Sequence, residues 1–214
     1  MSPVSIPDEL LELRQTLRDF IDREIRPVEE SHRQEIQETA TFESVKDERL
    51  KLRKRSAELG FWTLHMPEEV GGGGLSYLGQ VLLHEEAYRH GLILAQFESI
   101  FPVVTGPTPV YVDCTEAQRE KYLYPLMAAD KVTCFALTEP GAGSDATRIQ
   151  TRATKADRGT WVINGRKHFI TGGDSADFAL VFAVTDPEKR AQGGITAFLV
   201  DAGTPGFSVT RVQR

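Results

Sequence analysis

Over roughly the first 130 residues the apolar positions recur every three or four, the spacing of one face of an α-helix. Leu10, Leu13, Leu17, Ile21, Ile25 and Val28 form such a stripe between residues 7 and 28. Pro7 suits a first helical turn, and Pro27 is expected to end or kink the segment. A second helix is expected from about Phe42 to Leu59, with Gly60 placed to take the left-handed C-terminal conformation. A third runs over about 76–90 and stops at Gly91, and 92–104, apolar on most faces, reads as a buried fourth. Thr115-x-x-Gln118 is a capping-box pattern that opens a fifth helix reaching about Ala129.

After Lys131 the pattern shifts to short runs rich in β-branched and aromatic residues, at 132–137, 160–163, 167–170, 178–184, 195–200 and 207–212. Asn164-Gly165 lies between two of them and predicts a tight hairpin in which both turn residues take positive φ. Asp157-Arg158-Gly159 marks another turn, and residues 148–154 read as extended. Helices followed by mostly antiparallel strands give an α+β protein, with a helical domain over 1–130 and a β domain over 131–214. The four glycines at 71–74 predict a flexible or oddly bent loop, functional or merely connecting.

Composition narrows the function. A formal net charge of −6 argues against nucleic acid as a partner, because phosphate binding needs clustered cations. The one basic run, Lys51-Leu52-Arg53-Lys54-Arg55, falls in a helical pattern and reads as a solvated helix face. Cys114 and Cys134 show no CxxC and no neighbouring histidine pair, so no metal site or disulfide framework is expected, and a reducing compartment fits. The first residues match neither a secretory nor a transit pattern, and no apolar run approaches a membrane span. A cytoplasmic protein is the resulting expectation.

The segment Thr133-Cys-Phe-Ala-Leu-Thr-Glu-Pro-Gly-Ala-Gly-Ser-Asp145 carries the chemistry. A strand runs to Thr138, and then Pro140 and two glycines turn the chain, exposing backbone N–H groups that can face an anion or a polar ring edge. Thr138 and Ser144 add hydroxyls. The plain alternative is a turn-rich linker. Gly141-Ala-Gly143-Ser-Asp-Ala146 formally matches a dinucleotide fingerprint, but that motif requires a helix directly after it, and residues 148–154 read as extended instead. Ser144 lacks the context of a nucleophile, and nothing orders His84, His90 or His168 into a triad with it. Phe169 and Thr171, at the end of an expected strand, could face a flat ligand or be ordinary strand residues.

Cys134-Phe-Ala-Leu-Thr-Glu-Pro-Gly-Ala-Gly-Ser-Asp145 resembles the first signature of the acyl-CoA dehydrogenase family, and Asn164-Gly-Arg-Lys-His-Phe-Ile-Thr171 resembles its second. Met66-Pro-Glu-Glu-Val-Gly-Gly-Gly-Gly-Leu-Ser76 resembles a loop of the helical domain. Gly194-Ile-Thr-Ala-Phe-Leu-Val-Asp201 and Thr204-Pro-Gly-Phe207 resemble later β-domain strands. The resemblance implies an all-helical N-terminal domain, an antiparallel β-barrel-like domain and a C-terminal helical bundle, before which this chain would be truncated. It implies FAD as cofactor and acyl-CoA as substrate, with an electron-accepting flavoprotein as partner and a homo-oligomer, dimer or tetramer, when full length. The reaction implied is oxidation of acyl-CoA to 2-enoyl-CoA, as in fatty acid metabolism. An acyl-CoA oxidase, a flavin monooxygenase or a non-catalytic truncated subunit are the alternatives.

By the same resemblance, Phe135, Ala136, Leu137, Thr138 and Gly143 contact the flavin, with backbone groups of Phe135 and Leu137 and the Thr138 hydroxyl at the pyrimidine edge. Ser144 is placed at flavin phosphate or the CoA portion of the substrate. Phe169, Ile170 and Thr171 lie beside the ring, with Phe169 standing where many members carry tryptophan. The catalytic base, a glutamate, is expected beyond Arg214, and Glu139 belongs to the flavin signature rather than to proton transfer.

Overall fold

The computed structural model describes residues 5–39, 45–96 and 99–213, with the side chains of 37–39 and of Arg158 outside that description. The chain divides into two compact units, Met1–Asp130 and Lys131–Arg214.

In the first unit, α1 (Asp8–Phe20) continues through a π-helical turn (Ile21–Ile25) into α2 (Arg26–Ser31). Pro27 therefore neither ends nor breaks the helix. Proline has no N–H and its ring collides with the carbonyl four residues back, and the wider π turn just upstream shifts the ladder where the conflict would arise. The same device recurs where α7 (Glu116–Gln118), a π turn (Arg119–Leu123) and α8 (Tyr124–Met127) form one helical run with Pro125 just past the π turn. Thr115 and Gln118 close the expected capping box at its start.

Between these runs lie α3 (Arg33–Thr39), α4 (Lys46–Glu58), α5 (Tyr77–Arg89) and α6 (Ile93–Gln96). The expected start of the second helix, at Phe42, lies outside the described residues. Gly60 (φ 85°) and Gly91 (φ 65°) end their helices in the left-handed region, and Ser76 Oγ accepts from Gly79 N to cap α5. The expected fourth helix shrinks to α6. Residues 99–108 are irregular, and Pro102 and Pro107 withhold the N–H groups a longer helix would need.

Leu17, Ile21 and Ile25 of the first stripe pack with Phe20, Leu52, Phe61, Leu83, Leu94 and Ile100 into a buried core. The glycine run is bent and tightly packed rather than loose. Gly73, Gly74 and Leu75 donate to Thr63, Met66 and Leu64 carbonyls at 3.1, 2.9 and 2.8 Å. A Cβ on Gly73 would lie 2.8 Å from the Leu64 side chain. The basic run is only partly a solvated face: Lys51, Lys54 and Arg55 are exposed, but Arg53 is buried with its guanidinium 4.9 Å from the Trp62 ring centroid.

The second unit holds one open, mixed sheet of β1 (Thr133–Ala136), β2 (Arg152–Lys155), β3 (Trp161–Asn164), β4 (Phe178–Val184) and β5 (Ile195–Asp201). Helices precede strands as expected, but the sheet does not close into a barrel and is less antiparallel than expected. β4 pairs parallel with β1, antiparallel with β5, and through Arg152↔Val184 parallel with β2. Its sequence, apolar throughout and buried at six of seven positions, is that of a strand covered on both faces.

The hairpin is elsewhere than expected. β2 and β3 pair antiparallel around Asp157–Gly159, where Gly159 takes φ 76°. Asn164 is the last residue of β3, opposite Arg152, and neither it nor Gly165 has positive φ. Gly165 is instead required by proximity, because a Cβ there would lie 2.6 Å from Thr151 Cβ and 2.7 Å from Thr151 Cα. The expected strands at 167–170 and 207–212 do not form, since Phe169 (φ 56°) leaves the β region and Gly206 (φ 86°) turns the chain.

Candidate functional site

β1 sends Cys134 and Ala136 to one face, packed with Ala179 and Val181, and Phe135 to the other, its ring centroid 4.8 Å from that of Phe182. Past the strand the chain closes a tight turn in which Glu139 N donates to Ala142 O at 3.0 Å and Ala142 N donates to Glu139 O at 3.1 Å. No helix of substance comes after it. Only a single 3₁₀ turn, Ala146–Arg148, capped by Asp145, precedes the β2–β3 hairpin, so the dinucleotide-fold alternative does not apply.

Glu139 anchors this turn. Its carboxylate, 7% exposed, accepts from Gln150 N (2.6 Å), Thr151 N (2.9 Å) and Lys167 Nζ (2.9 Å). Burial alone would raise its pKa, but the hydrogen bonds from Thr151, Lys167 and Gln150 outweigh burial and hold it at about 2. Lys167 also donates to Leu137 O at 2.9 Å, and burial pushes its ammonium down despite the attraction of Glu139. With three donors on it, Glu139 is the member of the pair that is firmly charged. Its oxygens are consumed, which fits a structural role and not that of a base.

The two glycine-bearing stretches meet through the backbone: His168 N donates to Thr138 O at 2.9 Å. Beyond that contact Phe169 stands 70% exposed at φ 56°, with the His168 ring stacked on it at 3.8 Å and 17°. An exposed, strained aromatic is the kind of feature that ligand sites retain.

The expected contact residues divide. Ala136 is buried in the core and Ile170 packs against the same cluster, so neither side chain is free for a ligand. Leu137 packs against the buried cluster of Ala142, Ile149 and Val184, its N–H donates to Phe135 O (3.2 Å) and its carbonyl takes Lys167, so its backbone is largely committed within the fold. Phe135 and Thr138 are half-buried, while Gly143, Ser144, Phe169 and Thr171 are exposed. Gly141 and Gly143 take ordinary φ, and nothing lies within 4 Å of a Cβ at either. Their lack of a side chain serves no internal contact and leaves the backbone open to close approach. The anchoring role of Lys167 carried no sequence signal of its own, because its partners come from other parts of the chain.

The N-terminal domain model of acyl-CoA dehydrogenases matches residues 7–130, and the middle domain model matches 134–214. The chain belongs to the acyl-CoA dehydrogenase family. It is 38% identical to a 3-(aryl)acrylate reductase of Clostridium sporogenes over 92% of this chain and 48% of that protein. It is 35% identical to the mitochondrial short-chain specific acyl-CoA dehydrogenase of Bos taurus, over 98% of this chain and 48% of that one. Among solved structures it is similar to a glutaryl-CoA dehydrogenase from Mycobacterium smegmatis in complex with FADH2. That likeness has a TM-score of 0.75 and 29% identity, over 98% of this chain and 49% of the other. The chain thus spans about half the length of the curated relatives it matches. No helix of the described residues is long and apolar enough to cross a membrane.

Proposed function

We propose that this chain carries the flavin-contacting part of an FAD-dependent acyl-CoA dehydrogenase that oxidises acyl-CoA to 2-enoyl-CoA. In this reading residues 1–130 are the family's helical domain and 131–214 its flavin-binding middle domain. The observation that carries it is the backbone bond between His168 N and Thr138 O, which joins the two family motifs at an exposed aromatic. The residues fit a flavin: Phe169 offers a ring face, Thr138 and Thr171 offer hydroxyls, Gly143 has open space where a Cβ would stand, and Ser144 is exposed.

FAD would supply a two-electron acceptor for the β-hydride of the thioester. Thr138 would be the hydrogen-bond donor toward the flavin where negative charge collects, and Phe169 would shield its ring from water. The α-proton goes to a carboxylate other than Glu139, whose oxygens already accept three hydrogen bonds. An electron-accepting flavoprotein as partner, a cytoplasmic location and a homo-oligomeric assembly belong to the same proposal.

A second direction of the same chemistry is favoured by the similarity to a 3-(aryl)acrylate reductase: reduction of a conjugated double bond, for which reduced FAD would supply the electrons. Spectroscopic titration with FAD tests the site. In the enzyme that includes the catalytic base, Thr138→Ala should weaken binding by about 1 kcal/mol, the scale of one hydrogen bond, and acyl-CoA addition should bleach the bound flavin, whereas residues 1–214 alone should bind FAD weakly and leave it unbleached. Unchanged affinity and an unshifted flavin spectrum in the variant would refute the Thr138 contact. Bleaching by acyl-CoA versus re-oxidation by an enoyl or aryl-acryloyl substrate separates the two directions.

A further inference from the structure

Between β1 and the tight turn at residues 139–142 the backbone polar groups can be followed one by one. Leu137 N donates to Phe135 O at 3.2 Å, and Leu137 O accepts from Lys167 Nζ at 2.9 Å. Thr138 O accepts from His168 N at 2.9 Å, and the N–H and carbonyl of Glu139 exchange bonds with Ala142 at 3.0 and 3.1 Å. The group left over is Thr138 N–H, which meets no acceptor among the described residues, on a residue that is only half-buried. Backbone donors inside a fold are nearly always paired, so a spare one at an opening is where a ligand acceptor fits.

The Leu137 carbonyl and the Thr138 N–H are the two ends of one peptide unit, joined by amide resonance. A cation on the carbonyl oxygen draws electron density towards it and makes the N–H a stronger donor, as happens along any chain of hydrogen bonds. Lys167 is that cation. Its side chain is 11% exposed, so water screens the ammonium little, and its second bond, to Glu139 Oε1 at 2.9 Å, holds it in place. The Glu139 carboxylate is shared with Gln150 N and Thr151 N, so its charge is spread away from the Leu137 carbonyl that the ammonium touches.

We infer that Lys167 is a positioning residue that acts through the Leu137–Thr138 peptide, strengthening Thr138 N–H as a donor to the flavin and so favouring the reduced cofactor over the oxidised one. The inference rests on the flavin reading proposed for this chain. FAD that takes up a hydride gains one negative charge, and a preorganised donor stabilises the charged form more than the neutral one. The role is thus on the reduction potential, whereas the anchoring of the turn by Glu139 is on stability.

Reductive titration of the holoenzyme against a reference dye reads the potential directly. Lys167→Met keeps a long unbranched side chain and removes the donor. It should weaken reduced FAD about tenfold more than oxidised FAD, a fall of about 30 mV for a two-electron couple. Lys167→Arg retains a cation and should recover part of that fall. Glu139→Gln loosens the turn but leaves Lys167 on Leu137 O, so it should not lower the potential. The Thr138 amide proton shift, read in FAD-free protein after isotopic labelling of threonine, covers the case in which Lys167→Met no longer holds FAD. Lys167→Met should move that signal upfield, and Glu139→Gln should not. A potential and an amide shift unchanged by Lys167→Met, or equal falls in Lys167→Met and Glu139→Gln, would overturn the inference and leave the flavin reading standing. Wild-type enzyme that takes up no FAD would overturn both, an outcome distinct from an unresponsive potential in loaded enzyme.

Discussion

Glu139 shows how one residue can hold a site without touching a ligand. It lies in the stretch proposed to contact the flavin, yet its carboxylate is spent on Gln150 N, Thr151 N and Lys167 Nζ. Glu139→Gln leaves Lys167 half-buried beside a neutral amide and should cost about 3 kcal/mol, the scale of breaking a buried pair, as read from urea unfolding. The pH dependence has a definite sign. The folded carboxyl sits at about 2, below its ordinary value of 4.5. The folded chain therefore binds fewer protons than the unfolded one in that window, and the contribution is complete above 4.5 and lost as pH falls towards 2. The wild type should lose stability steeply through this window, and Glu139→Gln should flatten the slope. Equal slopes in the two proteins would remove Glu139 from this role. Little of this could be read in the sequence, because the donors sit 11, 12 and 28 residues away and become neighbours only when the turn meets the hairpin.

At the scale of elements, the two glycines of the β2–β3 region serve opposite purposes. Gly159 has φ 76° with open space where a Cβ would stand, whereas Gly165 has ordinary φ and Thr151 in the way. Gly159→Ala should thus cost about 1 kcal/mol from left-handed strain, and Gly159→Asn less, since asparagine tolerates that region. Gly165→Ala should cost about 2 kcal/mol from overpacking, and Gly165→Asn at least as much, because it is larger. Urea midpoints of the four variants check this, and recovery by asparagine at 165 would contradict the crowding account. Asn-Gly is a strong local hairpin signal, but a ladder that continues to bring Thr151 opposite residue 165 overrides it. Elements governed by nearest neighbours were legible: the Thr115–Gln118 box, the ends of α5, and β4 at full length. The helix crossing Pro27 was less so, because a π turn lets it continue past a residue that ordinarily stops it, whereas the run across Pro125 was expected from its capping box.

For the whole molecule, the change from helical to strand periodicity near Asp130 is written in the spacing of apolar residues, whereas parallel pairing of β1 with β4 is not, because pairing partners are chosen across the fold. Each unit has its own core and its own buried carboxylate. In the first, Glu86 is 2% exposed and accepts from Arg18 at 2.8 and 3.0 Å, and these bonds, with those from His90 and the charge of Arg89, hold its pKa at about 2. The chain's two tryptophans fall one in each unit. Trp62 is fully buried and donates to Leu126 O at 2.9 Å, and Trp161 is 38% exposed with Lys155 and Phe198 against its ring. Single-tryptophan proteins therefore report each unit separately: Trp161→Phe leaves Trp62 as reporter, and Trp62→Phe leaves Trp161. Within each background, Glu86→Gln should lower the urea midpoint read by Trp62 and leave that read by Trp161, while Glu139→Gln does the reverse. The Glu139→Gln shift should correspond to about 3 kcal/mol, as expected for a carboxylate whose cationic partner stays behind in a buried site, and the Glu86→Gln shift should be smaller because Arg18 remains partly open to water. If either substitution moved both reporters by the same amount, the chain would unfold as a single cooperative body, and the assignment of one electrostatic anchor to each unit would fail.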